Sequence, residues 1–196
     1  MVDREDVLRA AALVLAERGL DAARLRDVAR AAGVSIGALQ HHFDTRDELF
    51  REAFEWSIEQ LISRWRASAA DEPDPWHRFE LLVQALTGDA ELERRCATWT
   101  EFCASAARHP RLRDGVRAVH EEWRALLTGI AEDGVAQGEF VPPIPVDTAI
   151  ASVVVLVDGC DMAVASRGGM TPQQYADVLL GTARTVFGVR APKSRA

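Results

Sequence analysis

Apolar positions recur along this chain at helical spacing, i, i+3, i+4 and i+7, with no run of period-two alternation that would support a strand. Val7, Leu8, Ala11, Val14 and Leu15 mark one face of a first helix, with Gly19 as its expected stop. Val28 and Ala32, four apart, mark a short second helix. Ala29 lies on the neighbouring stripe, where a small side chain lets another helix cross closely. Gly33 follows, suited to a left-handed turn, and Val34 plugs that turn. Ser35 is a favourable N-cap for a third helix whose buried stripe is Leu39 and Phe43. Ile36, Gly37, Gln40 and His41 then face outward.

A fourth helix opens at Thr45, because Thr45 and Glu48 have capping-box spacing. It runs through Phe50, Phe54, Trp56, Ile58, Leu61, Ile62 and Trp65 to about Ala69. At ~1.5 Å per residue it is ~35 Å long, enough to leave a small N-terminal unit and enter a second one. The break at 71–75 supplies Asp74 as a cap and Pro75 at the first helical position. A fifth helix carries Trp76, Phe79, Leu82, Val83 and Leu86 up to Gly88. A sixth is expected to start at Asp89, pass Trp99 and Phe102 and end near His109-Pro110. A seventh runs from about Arg111 through Val116, Val119, Trp123, Leu126 and Leu127 to about Gln137. Phe140 to Pro145 contains three prolines and must connect rather than coil. Asp147 is expected to open an eighth, strongly apolar helix to about Ser166. After Gly168-Gly169, Thr171-Pro172-Gln173-Gln174 caps the last helix, through Tyr175, Val178, Leu179, Ala183 and Val186. The tail from Arg190 is expected to be loose.

Two short helices about a tight turn, followed by a capped third, are the arrangement that presents one helix to a DNA major groove. The residues themselves resemble the N-terminal domain of tetracycline-repressor-type (TetR family) transcriptional regulators. The resemblance rests on Ala32-Gly33-Val34-Ser35, Gly37 and Leu39, His42-Phe43, Arg46 and Glu48-Leu49, and covers about 45 residues. Two positions depart from the family pattern. Gln40 stands where the family has Tyr, and Ala23-Arg24 stand where it has a hydroxyl residue. The missing hydroxyl cap weakens the second helix start by about 1 kcal/mol unless Asp21 compensates.

The chain has 196 residues, 48% of them hydrophobic, and a net charge of −7. That balance excludes a nonspecific nucleic-acid coat, which needs a strong basic excess. Residues 1–50 carry seven arginines against nine carboxylates, a net of −2. DNA binding must therefore rely on placed arginines and helix N-termini, be salt-sensitive, and gain from dimerisation. Cys96, Cys103 and Cys160 have neither metal nor disulfide spacing. Cys96 and Cys103, seven apart, share a helix face; reduced, inert thiols are the expected state. His41-His42 is not a metal pair, since adjacent helical positions diverge. The N-terminus is charged and amphipathic, and the apolar run Ala149–Val157 is too short to span a bilayer, so a cytoplasmic protein without membrane contact, metal or cofactor is expected.

The fold class expected is all-α with about nine helices. A helix-turn-helix DNA-binding domain occupies residues 1–50, a ligand-binding and dimerisation domain 51–190, and the tail 191–196. The eighth helix, with Ile150 and Val153 to Val157, is apolar nearly all round, so it is buried on most faces. The resemblance implies that helices eight and nine pair with their copies in a homodimer. It also implies that helices five to seven enclose a pocket for a small-molecule effector. Candidate ligand residues are Phe79, Trp99, Phe102, Cys103, His120 and Trp123, with Asp158 and Asp161 from the eighth helix. The last two interrupt an apolar helix and need partners: an arginine, a capping amide, the other subunit or a cationic ligand.

Carried over from the family, Ser35, Ile36, Gly37, Ala38, Gln40 and His41 lie along base edges of double-stranded DNA. Gln40 suits adenine, while Ile36 and Ala38 suit thymine methyls. His42, Thr45 and Arg46, with Arg24 or Arg26, hold phosphates. The function implied is a dimeric repressor released from a pseudo-palindromic operator by its ligand. The alternative is a helical dimeric interaction protein with weak or lost DNA binding, which the acidic N-terminal balance and Gln40 keep open. No nucleophile elbow, phosphate loop or metal motif supports an enzyme.

Overall fold

The computed structural model describes residues 3–88 and 90–190. The helix start expected at Asp89 and the tail from residue 191 lie outside the described residues. In chain order the helices are α1 (Arg4–Ala22), α2 (Leu25–Ala32), α3 (Ile36–His42), α4 (Arg46–Ala69), α5 (Pro75–Thr87), α6 (Leu92–Arg108), α7 (Arg113–Ala136), α8 (Val146–Ala165) and α9 (Pro172–Val186). A 3-10 turn, Pro110–Leu112, precedes α7. Extended structure among the described residues is limited to one bridge, Phe140 with Val189.

Local chemistry sets most boundaries. Asp3, Ser35, Thr45, Asp74 and Thr171 each accept a backbone N–H at a helix start. Gly33 ends α2 in the left-handed conformation. Three boundaries differ from the sequence expectation, and a fourth, the start of α2, lacks its hydroxyl cap as expected. Gly19 (φ +72°) kinks α1 without ending it, and the helix resumes to Ala22. α7 begins at Arg113, after Pro110 has imposed the 3-10 turn. α8 starts at Val146 behind Pro145, and Asp147 makes no cap. Arg24 precedes α2 without a side-chain cap. Asp21 does not compensate; its carboxylate is held by Arg108 and His109 at 3.3 and 3.4 Å.

The helices share one apolar core. α1 packs on α2 and α4 and also on α6, so it joins the short N-terminal helices to the larger bundle. α8 packs against α6, α7 and α9. The run 149–157 is by itself too short to cross a membrane, but the helix that contains it is not. Pro145 and the 168–169 turn bound a helix of 20 residues with mean hydropathy 1.8, long and apolar enough for that. Two of its carboxylates, Asp158 and Asp161, however, are engaged by neighbouring helices of the bundle, as described below.

At the far end of the bundle Phe140 stacks on Phe187 with ring centroids 5.6 Å apart. Gly134 makes room for that ring, since a Cβ there would lie 2.3 Å from Phe140. Gly129, one and a half turns earlier, would meet nothing within 4 Å. Gly134→Ala is expected to destabilise the protein by about 1–3 kcal/mol in urea denaturation through overpacking. Gly129→Ala should instead stabilise it by up to about 1 kcal/mol through helix propensity.

Candidate functional site

The turn between α2 and α3 is built from three short-range contacts. The Gly33 backbone (φ +68°) reverses the chain, and the Val34 N–H donates to the Ala29 carbonyl at 2.9 Å. The Ser35 hydroxyl accepts the Ala38 N–H at 3.1 Å. Leu39 and Phe43 are buried and anchor α3, leaving Ile36, Gly37, Gln40, His41 and His42 exposed on its other side. Ala38 is half-buried. Thr45 accepts the Glu48 N–H at 3.1 Å, while the Glu48 carboxylate returns to the Asp44 N–H at 2.8 Å, one residue earlier than a standard capping box.

The basic residues divide into two kinds. Arg24 donates to the Asp21 and Ala23 carbonyls at 2.6 and 3.2 Å. Arg46 reaches the Ala23 carbonyl at 3.4 Å and Asp47 at 3.2 Å, with its guanidinium over the Phe50 ring. Both brace the α1–α2 junction. Arg26 is exposed. A residue that sequence reasoning missed is Asp27, buried at the third position of α2 with Arg18 and Arg30 at 3.6 and 3.9 Å. Its charge beside the α2 N-terminus opposes the helix dipole, offsetting the absent hydroxyl cap.

The second site lies between α4, α6, α7 and α8. Its apolar wall is Ile58, Val119, Trp123, Leu127, Val154 and Val157, and its polar end is Arg95, Trp99, His120, Asp158 and Asp161. The free volume is about 20 Å³, room for one water. Asp158 accepts the Trp99 indole N–H at 2.9 Å and faces His120 Nε2 at 3.1 Å. Asp161 is buried and accepts from the Tyr175 hydroxyl at 2.8 Å and the Cys96 thiol at 3.0 Å, with Arg95 at 3.5 Å. The partner question raised by the two carboxylates therefore has an internal answer. Tyr175 lies on the buried stripe of α9 and Cys96 shares a helix face with Cys103, but spacing alone pairs neither with a carboxylate, and Arg95 carries no periodic signal.

The other sequence candidates lie elsewhere. Phe79 lines a separate apolar void with Trp123 and Leu127. Phe102 stacks on Phe54 at 4.0 Å, away from the polar end. Cys103 is half-buried and outside the pocket wall; burial, with Asp158 and Asp161 adding, pushes its thiol up to about 12. Burial likewise raises Cys160 to about 11, and raises Cys96 with help from Asp161. Such thiols stay protonated and poorly nucleophilic. Among the described residues no group of three or more His, Cys, Asp or Glu is placed to hold a metal ion.

Residues 7–53 match the family model for bacterial regulatory proteins of the tetR family, and residues 77–188 match that for the C-terminal part of BetI-type transcriptional repressors. The chain is 30% identical over 146 residues to the HTH-type transcriptional repressor KstR2 of Mycolicibacterium smegmatis, covering 74% of this chain and 70% of that one. Its fold is similar to a putative TetR-family transcriptional regulator from Rhodococcus sp., with a TM-score of 0.84, 24% identity, and 94% and 98% of the two chains covered. It is also similar to a transcriptional regulator from Rhodococcus sp. Rha1, with a TM-score of 0.80, 28% identity, and 97% and 100% covered. With the turn, its caps and the helical bundle in place and both halves matched, the chain belongs to the TetR family of DNA-binding transcriptional regulators.

Proposed function

We propose that the protein is a dimeric repressor that reads a pseudo-palindromic operator and leaves it when a small molecule fills the enclosed pocket. It acts in the cytoplasm and catalyses no reaction. The observation that carries the reading is α3: it is anchored by Leu39 and Phe43, while Ile36, Gly37, Gln40 and His41 stand exposed and together. Gln40 hydrogen-bonds a base, and Ile36 and Ala38 pack on thymine methyls. Arg26, His42, Thr45 and the N-terminal amides of α4 hold phosphates, as does the part of Arg46 not engaged by Ala23.

The exposed apolar residues of α8 and α9 support the dimer. Val155 and Met162, seven apart, are 69% and 59% exposed, and Val178 of α9 is 38% exposed. Gly159 and Gly181 lie on the same surfaces with open space above them, allowing a partner helix to approach. Such a face in water calls for a partner. Two α3 helices related by a two-fold axis then fall about 34 Å apart, one turn of duplex.

Two helices connect the pocket to the reading unit. α4 starts directly after α3 and places Ile58 in the pocket wall. α6 places Trp99 there, and two residues later Glu101 accepts the Leu20 N–H of α1 at 2.9 Å. A ligand that needs the 20 Å³ pocket to expand binds the expanded state alone, and that difference in affinity is what shifts the equilibrium.

Selection of random duplex DNA by the purified protein, read by sequencing, should recover an inverted repeat. A folded dimer that enriches no sequence would sink the repressor reading. With the recovered operator, Gln40→Ala should cost about 1–3 kcal/mol and relax preference at a single base position. Arg26→Ala should weaken all duplexes alike and lower the slope of log K against log salt by about 1. Val155→Asp should convert the dimer to a monomer in light scattering and reduce operator affinity with it.

A further inference from the structure

α3 packs on α2, α2 on α1, and α1 on α4 and α6, so the place of α3 relative to the bundle is passed on through α1. The core these helices share is apolar, and its contacts are non-directional. One contact between α1 and α6 is directional. Gly19 (φ +72°, ψ 162°) interrupts α1, and the turn after it, 20–23, leads straight into α2. On this turn the Leu20 N–H donates to Glu101 Oε1 of α6 at 2.9 Å. The Ser105 hydroxyl, fully buried, donates to the same oxygen at 3.1 Å and holds the carboxylate in place. A Cβ on Gly19 would lie 3.3 Å from that carboxylate, so the backbone and the Glu101 side chain are in close contact.

The same turn also holds the helices that flank α3. Its Asp21 carbonyl accepts from Arg24, the N-cap of α2, at 2.6 Å. The Ala23 carbonyl accepts from Arg46, the first residue of α4, at 3.4 Å. Glu101 is therefore the bundle's directional hold on a turn that itself ties the starts of α2 and α4. Arg108 and His109 also reach the Asp21 carboxylate, at 3.3 and 3.4 Å, but all three side chains are exposed, where ion pairs are weak.

We propose that Glu101 is a positioning residue for operator recognition. By fixing the turn after Gly19 it sets the tilt of the reading unit on the bundle, and with it the spacing between half-sites that the dimer accepts. This rests on the reading of α3 as the DNA-reading helix. Glu101 touches no base or phosphate in this role; it acts through Leu20, α2 and the start of α4.

Selection of random duplex DNA by the full-length protein supplies the operator. Fluorescence anisotropy then compares three labelled duplexes: the operator, the operator with one base pair added at its centre, and a single half-site. The added pair moves one half-site by about 3.4 Å and turns it by about 35°. Glu101→Ala, checked by circular dichroism and light scattering for helix content and dimer mass, should lose at least about tenfold on the operator and less than about twofold on the half-site. It should also discriminate less than the unaltered protein between the operator and its lengthened form. Glu101→Gln keeps an acceptor for the Leu20 N–H and should stay within about twofold on all three. A folded Glu101→Ala dimer with full operator affinity and unchanged spacing preference overturns the proposal. An equal loss on operator and half-site also overturns it, since that marks a damaged reading unit, and so does an equal loss in Glu101→Gln. If Glu101→Ala does not fold, Glu101→Asp, which keeps the charge but falls short of Leu20, takes its place with the same expected split. An unaltered protein that recovers no inverted repeat overturns the reading of α3 and this proposal with it. A recovered repeat that the variants bind unchanged overturns the role of Glu101 alone.

Discussion

Two carboxylates three residues apart on an apolar helix have to be hydrogen-bonded, because an unpaired charge inside a protein costs several kcal/mol. Asp158 and Asp161 meet that demand through three other helices. Arg95, Cys96 and Trp99 come from one face of α6, His120 from α7 and Tyr175 from α9. Sliding α6 or α9 by one turn would take a partner from the buried Asp161, and sliding α7 would take one from the half-buried Asp158. The apolar contacts of α8 are non-directional and would tolerate several packings, so the polar contacts fix the register. The pocket is the space that this register leaves.

The same helix that serves Asp158 and Asp161 also holds the N-terminal unit. Glu101 of α6 accepts the Leu20 N–H, and the Ser105 hydroxyl donates to the same oxygen at 3.1 Å. The donor is available because Gly19 breaks the α1 hydrogen-bond ladder there. The fit is close, since a Cβ on Gly19 would lie 3.3 Å from the Glu101 carboxylate. A glycine that looked like a helix stop in the sequence is thus a joint between two halves of the protein. Trp99 in the pocket wall and Glu101 against α1 lie within one helical turn of each other on α6.

Polar satisfaction also explains the behaviour of the thiols. Cys96 donates to a carboxylate and lies in the interior, so ionising it would place a second negative charge beside Asp161. Cys103 and Cys160 feel the same field. The cluster behaves as packing and hydrogen-bond donors and is poorly suited to oxidation chemistry.

The helix-turn-helix was legible before any coordinates because its determinants are local. Gly33, Ser35, Thr45 and the Leu39–Phe43 stripe act on neighbours within four residues, and backbone sterics and capping leave few alternatives. The same holds for the Thr171 capping box and for the apolar face of every long helix. Trp99, His120, Trp123, Asp158 and Asp161 were legible as candidates for the pocket, but which of them pair, and with what, was not. Cys96 meets Asp161 across 65 positions and Trp99 meets Asp158 across 59. Helical periodicity says which face of a helix is buried, but not which buried partner it will find. Phe79 and Phe102 illustrate the limit: both have the spacing of pocket residues, and packing directs one to a neighbouring void and the other onto Phe54. Local sequence thus decided the reading unit, and the choice of partner for each buried charge was left to the tertiary structure, where desolvation is costly enough to select a single arrangement.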